Sequence, residues 1–108
     1  MKIYPVLLAM VKSVCALARK VRKHDPDLAR QMMKASTSVL LNGVEGWHSQ
    51  GGNKVARYHS AMASARETRG CLDISVACGY LSEAEVLADY DRLDHIVAVM
   101  WKLARTRS

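Results

Sequence analysis

The sequence predicts an all-α protein folded as an antiparallel up-down-up-down four-helix bundle. Apolar residues recur at alternating spacings of four and three, which is typical of helices that pack side by side. The chain holds six methionines and no phenylalanine, and its β-branched residues form no alternating run that would indicate a strand. Residues typical of helix ends divide it into four segments. We therefore expect one four-helix-bundle domain over residues 1–108.

The first two helices are predicted over residues 3–23 and 26–46. The apolar seam of the first helix has a 4-3-4-3-4 spacing and consists of Ile3, Leu7, Met10, Val14, Leu17 and Val21. Asp25 is the predicted N-cap of the second helix, and Pro26 is its first residue. A backbone N–H at this position has no partner within the helix, so proline costs no hydrogen bond there. These two residues mark the turn between the helices.

The third helix is predicted over residues 54–78. The glycine, serine and asparagine residues in the preceding segment, 47–53, are typical of a loop, and Asn53 is the predicted N-cap. One side of this helix consists of small residues, namely Ala61, Ser64, Thr68, Cys71, Ser75 and Cys78. Small side chains allow a neighbouring helix to approach closely.

The fourth helix is predicted over residues 83–105. Gly79 suits the C-terminal end of the third helix, because glycine readily adopts the left-handed conformation found there. Ser82 and Glu85 have the spacing of a capping box, in which each side chain bonds the backbone N–H of the other residue. Three short connections between four helices give the up-down-up-down order.

A polar stripe lies near the end of the second helix. Ser38, Asn42 and Glu45 are at i, i+4 and i+7, so a helix places them on one face among apolar neighbours, and Asn42 lies on the predicted core seam. Buried polar groups need hydrogen-bond partners, and Ser64 and Glu67 of the third helix can face the stripe. The stripe is either a functional polar site or a network that fixes helix register or subunit pairing. We favour the network.

Several short motifs resemble one bacterial protein family. They are the DLxRQ pattern at residues 27–31, Ser38-Val39, Asn42, Glu45-Gly46, the set Ala61, Ala63, Ser64 and Glu67, and Gly79-Tyr80. Together they resemble the four helix bundle protein family, typified by proteins encoded in intervening sequences of large-subunit rRNA genes. The chain departs from the family pattern at Ala63, where glycine is usual, and at Trp47 and His48, where an arginine is usual.

The resemblance extends from residue 27 into the fourth helix and implies a ring-shaped homopentamer without enzymatic activity. The same fold is shared by the accessory protein of diversity-generating retroelements, which binds a reverse transcriptase and nucleic acid. The motif residues that the resemblance assigns in this chain are Ser38, Asn42, Glu45, Gly46, Ser64 and Glu67.

No residue pattern predicts an enzyme. The chain has no GxSxG elbow, no P-loop and no Cys-His signature, so we expect no catalytic residue and no cofactor. Glu45 and His48 match the Glu-x-x-His unit of di-iron bundles, but a di-iron site needs two such units and two further glutamates. We therefore predict no metal site. Asp91 and His95 are interpreted as an exposed helical pair.

The cysteines and the N-terminal segment predict a reduced, cytoplasmic protein. Cys15, Cys71 and Cys78 are an odd number without metal-binding spacing, and the last two are interpreted as small core residues. Lys12 interrupts the N-terminal apolar run, which at residues 3–11 is too short to span a membrane.

The formal net charge of +6 favours anionic partners, nucleic acid first, although solubility alone can explain it. In an up-down bundle the charges divide between two ends. One end combines residues of both signs, which can compensate one another: Arg19, Lys20, Arg22, Lys23, Arg30 and Lys34 with Glu83, Glu85, Asp89 and Asp91. The opposite end is basic, with Glu45 as its one acid, and contains Lys2, Lys54, Arg57, Lys102, Arg105 and Arg107. We expect any phosphate contacts at this basic end.

The sequence thus favours a non-enzymatic, oligomeric adaptor that binds nucleic acid, either RNA or DNA, or a nucleoprotein partner through a basic surface. A reverse transcriptase or another protein is the partner that the resemblance implies. The alternative is a structural oligomer that binds other proteins and whose basic charge is incidental. Salt-dependent binding of nucleic acid distinguishes the two.

Overall fold

The computed structural model describes residues 1–106, which form four antiparallel α-helices around one core. The helices are α1 (Tyr4–Arg22), α2 (Pro26–Trp47), α3 (Gly51–Ala77) and α4 (Glu83–Arg105). Successive helices pack against each other, and α4 also packs against α1. The bundle measures 44 × 23 × 19 Å. The predicted all-α four-helix bundle is confirmed. None of these helices is both long and apolar enough to cross a membrane.

The first corner of the bundle follows the local sequence signals. The six seam residues of α1 are at most 8% exposed: Ile3, Leu7, Met10, Val14, Leu17 and Val21. Asp25 caps α2, because its Oδ1 accepts a hydrogen bond from the Leu28 N–H at 3.0 Å. Pro26 is the first residue of α2, so its fixed φ starts the helix without sacrificing a backbone donor.

Helix α3 begins three residues earlier than the sequence predicted. Its N-cap position is Gln50, which has an extended backbone and no side-chain cap. Gly51 follows with φ +58° and turns the chain directly into the helix. The prediction that Asn53 caps this helix is therefore wrong, because Asn53 already lies in its first turn. The connection from α2 shortens to residues 48–50.

The connection between α3 and α4 has the two predicted end signals. Gly79 adopts φ +78°, and the Tyr80 N–H behind it donates to the carbonyl oxygen of Ser75 at 2.8 Å. Ser82 Oγ accepts from the Glu85 N–H at 3.3 Å, while the Ser82 N–H donates to Glu85 Oε1 at 2.9 Å. The capping box is confirmed.

The core departs from the predicted seam in α2. Gly43 rather than Asn42 lies in the core, where a β-carbon would be 3.0 Å from Met100 Cε and 3.5 Å from Leu7 Cδ1. Asn42 lies half-buried at the edge of the interface. In α2 the buried residues Ala35, Val39 and Gly43 are each four apart, because a straight helix drifts relative to a strict seven-residue repeat. In α4 the buried positions include Asp89, which is 1% exposed.

Candidate functional site

The polar stripe forms a hydrogen-bonded network between α2 and α3. Ser38 Oγ and Ser64 Oγ lie 2.7 Å apart and share a hydrogen bond. Asn42 Nδ2 donates to the carbonyl oxygen and to the Oγ of Ser38, each at 3.0 Å. Arg57 Nη1 of α3 donates to Asn42 Oδ1 at 3.4 Å. The network therefore joins the two helices, and its half-buried serines and asparagine satisfy one another.

Three residues of the motif lie outside this network. Glu45 is exposed, and its carboxylate forms no hydrogen bond or ion pair with residues 1–106, while its carbonyl oxygen accepts from Ser49 Oγ at 2.6 Å. Gly46 is buried against the ring of Tyr58. Glu67 is exposed on the outer side of α3, where its carboxylate forms no hydrogen bond or ion pair with a described residue. The structure thus brings Ser64, but not Glu67, to the polar stripe.

The network forms one wall of an open groove between α2 and α3 with a volume of about 550 Å³. Two apolar side chains of α2 border it, Met33 and Leu41, which are 47% and 56% exposed. The groove also contains Lys34, Thr37 and Glu45. Hydrogen-bonding groups beside exposed apolar side chains suit contact with another protein surface.

The two candidate histidine pairs lie on exposed surface. Glu45 and His48 are exposed at the end of α2, and Asp91 and His95 are exposed on α4. Within residues 1–106, no three His, Cys, Asp or Glu side chains are grouped so that they could hold a metal ion.

The three cysteines are free and have different surroundings. Cys71 is buried, and burial, with a smaller contribution from the nearby Glu67, raises the pKa of its thiol. Cys15 is half-buried. Cys78 is exposed, so its predicted core position is wrong. The reason is that α3 ends one residue before it, and Cys78 lies beyond the packed part of the helix.

The predicted basic end brings together the start of α1, the end of α2, the start of α3 and the end of α4. Lys54 Nζ donates to the carbonyl oxygen of Thr106, which ties the start of α3 to the end of α4. The Arg105 guanidinium lies 4.9 Å from the centroid of the Trp101 ring. Five of the six cations predicted at this end are described, and they form no ion pair with residues 1–106: Lys2, Lys54, Arg57, Lys102 and Arg105. Arg107 lies outside the described residues.

At the opposite end of the bundle, some of the predicted pairs between basic and acidic side chains form. Lys20 Nζ of α1 lies 2.6 Å from Glu85 Oε2 of α4. This hydrogen bond, followed by one from the Ser82 N–H, lowers the pKa of Glu85 to about 2. Arg30 pairs with Asp27 of its own helix.

Four cations at this end line a groove between α1 and α2 that contains no acidic side chain. The groove has a volume of about 530 Å³, and its cations are Arg19, Arg22, Arg30 and Lys34. They are less compensated than the sequence predicted, because the acids of α4 lie across the bundle from α2. Sequence reasoning missed this α1–α2 groove, although cations three and four apart on two adjacent helices are the signal that indicates it.

Two further polar clusters connect α4 to its neighbours. The buried carboxylate of Asp89 accepts a hydrogen bond from Ser13 Oγ of α1 at 2.6 Å and another from Arg92 Nη1 at 3.0 Å. On the α3 side, the Tyr90 hydroxyl donates to Asp73 Oδ1 at 2.5 Å. Burial, and then this hydrogen bond, raise the pKa of Tyr90 to about 12. Both clusters hold helices in register and lie apart from the polar stripe.

Comparison with known proteins identifies a protein family and a solved structure with a similar fold. A solved structure of a protein of unknown function from the S23 ribosomal protein family of Bacteroides thetaiotaomicron is similar, with a TM-score of 0.86 over 96% of this chain and 99% of that chain. Its sequence identity is 15%, so this likeness shows the fold. No curated protein matches the chain. The sequence model of the family described as 23S rRNA-intervening sequence protein matches residues 1–102, and the chain therefore belongs to that family.

Proposed function

We propose that the protein is a non-enzymatic, oligomeric adaptor that binds nucleic acid, or a nucleoprotein, through its basic end. The observation that carries this proposal is the charge of that end. It combines one acid, Glu45, with five cations that form no ion pair within residues 1–106. Clustered cations bind phosphates because they displace condensed counterions. The family description mentions rRNA, which makes RNA the first nucleic acid to test.

A mobility-shift assay across salt concentrations tests this proposal. We expect RNA to bind at low ionic strength and the binding constant to fall steeply as salt rises. The variant Lys102→Glu should weaken binding strongly. The matched control is Arg66→Glu, which makes the same change in net charge on an exposed residue of α3 outside the basic end. No binding at low salt, or equal losses in both variants, would contradict the proposal.

The oligomeric part of the proposal is supported by the distribution of charge across the bundle. Residues 12–34 carry seven basic and two acidic side chains, whereas residues 67–94 carry seven acidic and two basic ones. The first segment belongs to α1 and α2, and the second belongs to α3 and α4 on the opposite side of the bundle. A neighbouring copy can therefore place its acidic side against the α1–α2 groove. Repeated around an axis, such a head-to-tail contact forms a closed ring when the rotation between copies divides a full turn evenly, as in the homopentamer that the resemblance implies.

Light scattering at low and high salt tests the assembly. We expect five subunits at low salt and dissociation at high salt, because exposed charge pairs are screened. Arg22→Glu with Arg30→Glu should dissociate the ring, and adding Glu83→Lys with Asp91→Lys, which changes two exposed acids of α4, should restore it. A monomer at every salt concentration would refute the assembly. A stable ring that binds no nucleic acid would instead favour the structural oligomer with incidental basic charge.

A further inference from the structure

We infer that the basic end binds unpaired RNA, with the ring of Trp47 as a stacking surface for a base; this inference rests on the proposed binding of nucleic acid at that end. The chain has two tryptophans, and both lie at the basic end. Trp47 is the last residue of α2 and is 48% exposed, and Trp101 lies near the end of α4 and is 50% exposed. Exposed rings beside cations are the elements that bind single strands, because every base has a face that can stack.

The surroundings of Trp47 place a cation on either side of it. One depression beside the ring has a volume of about 550 Å³ and also contains Lys2 and His95. A second depression, of about 290 Å³, contains Trp47 together with Lys54 and Gln50. A base stacked on Trp47 would thus have positive charge available for the phosphates on both sides of its nucleotide.

Trp101 provides a second stacking element. The Arg105 guanidinium lies 4.9 Å from the centroid of its ring, which is within the range of a cation–π contact. The planar guanidinium can stack on a base and bind a phosphate at the same time. Neither ring is available to a base that remains paired within a duplex, so the two tryptophans favour single strands.

Two polar side chains beside Trp47 favour RNA over DNA. Ser49 Oγ donates its hydrogen to the carbonyl oxygen of Glu45 and retains lone pairs that can accept from a ribose 2′-hydroxyl. Gln50 lines the same depression and is exposed. The 2′-hydroxyl is the group by which proteins distinguish the two nucleic acids. The α1–α2 groove, in contrast, is equally basic but has no aromatic side chain in its lining.

Fluorescence anisotropy of labelled oligonucleotides tests this inference on the intact chain. We expect a single-stranded oligouridylate to bind more tightly than an RNA duplex of equal length and than the matching oligodeoxyuridylate. Trp47→Leu should weaken binding of the single strand about tenfold and leave duplex binding unchanged. The control Leu87→Ala removes an exposed apolar side chain at the other end of α4 and should change neither affinity. Circular dichroism shows whether each variant is folded.

The outcomes separate this inference from the proposed function. Equal binding of duplex and single strand, or a Trp47→Leu variant that binds like the wild type, would overturn the stacking role while leaving the basic end a nucleic-acid site. Equal binding of the deoxy strand would overturn the assignment to RNA. If no nucleic acid binds even at low salt, both proposals fail. Quenching of tryptophan fluorescence by the oligouridylate, but not by the RNA duplex or the oligodeoxyuridylate, would support the inference directly.

Discussion

The ring of Tyr58 packs directly against the backbone of Gly46. A β-carbon at residue 46 would lie 2.8 Å from Cε1 and 2.9 Å from Cδ1 of that ring. Tyr58 is 1% exposed, so the ring has no room to move aside, and its burial raises the pKa of its phenol. Gly46 thus lets the start of α3 approach the end of α2. Close packing therefore explains why residue 46 is a glycine, without any role in binding.

The variant Gly46→Ala should be less stable than the wild type. The added methyl group clashes with Tyr58, and overpacking of this kind costs about 1–3 kcal/mol, more than the gain of about 0.5–1 kcal/mol from replacing a helical glycine. Urea denaturation measures the difference. The control is Gly70→Ala within α3, where a β-carbon meets nothing within 4 Å and only the gain is expected. Equal stabilisation by both substitutions would show that Tyr58 does not constrain residue 46.

The helix ends could be predicted wherever both partners of the signal are close in sequence. Asp25 with Leu28, and Ser82 with Glu85, are three residues apart and need no knowledge of the fold. The start of α3 could not be predicted in this way. By residue type, Asn53 is the better N-cap. The helix starts earlier because Gly51 adopts a left-handed conformation, and the sequence around Gly51 contains no signal that predicts this conformation apart from the glycine itself.

The candidate site was predictable in part for the same reason. The contact between Ser38 and Asn42 follows from helical spacing, whereas the contact of Ser38 with Ser64 depends on how α2 and α3 are rotated against each other. The bond from Ser13 to Asp89 spans 76 positions and has no local signal. The α1–α2 groove also required the arrangement of the helices, because each helix alone shows only a solvated charged face.

The hydrogen bond from Ser13 to the buried Asp89 should contribute to stability. Ser13→Ala leaves one oxygen of a carboxylate that is 1% exposed without its partner, and we expect the free energy of unfolding to fall by about 1–3 kcal/mol. Ser60→Ala is the control, because Ser60 is exposed on α3. It should change the free energy by no more than about 0.5 kcal/mol. Indistinguishable urea midpoints for the two variants would contradict the expected role of Ser13.

The bond between Lys20 and Glu85 should make stability depend on acid pH. Because the pKa of Glu85 is lowered from 4.5 to about 2, the ionised carboxylate favours the folded state. This contribution is fully present above pH 4.5 and is lost as the pH falls toward 2. The difference in melting temperature between the wild type and Glu85→Gln should therefore shrink over that interval. Glu83→Gln, an exposed change in the same turn, is the control. A difference that stays constant down to pH 2 would show that the pKa of Glu85 is not lowered.

Asn42 should matter for the assembly as well as for the α2–α3 contact. Asn42→Leu removes both hydrogen bonds to Ser38, so we expect a lower melting temperature and a changed subunit number by light scattering. Ser60→Leu is the matched control, since Ser60 is exposed on α3 and lies outside the groove that Asn42 lines. If Asn42→Leu keeps its oligomeric state and melts no lower than the wild type, the network does not determine assembly.

The cluster around Tyr90 should make stability depend on alkaline pH. Burial, and then the hydrogen bond to Asp73, raise the pKa of Tyr90 from 10.0 to about 12, so the neutral phenol favours the folded state. Its contribution is fully present below pH 10.0 and is lost as the pH rises toward 12. We expect Tyr90→Phe to cost about 1 kcal/mol at neutral pH and to approach the wild type over that interval. Asp73→Asn should lower the pKa of Tyr90 in an absorbance titration, whereas Asp91→Asn, with the same change of charge on an exposed residue of α4, should have a smaller effect. A stability difference that remains constant up to pH 12 would show that the folded bundle does not favour the protonated form of Tyr90.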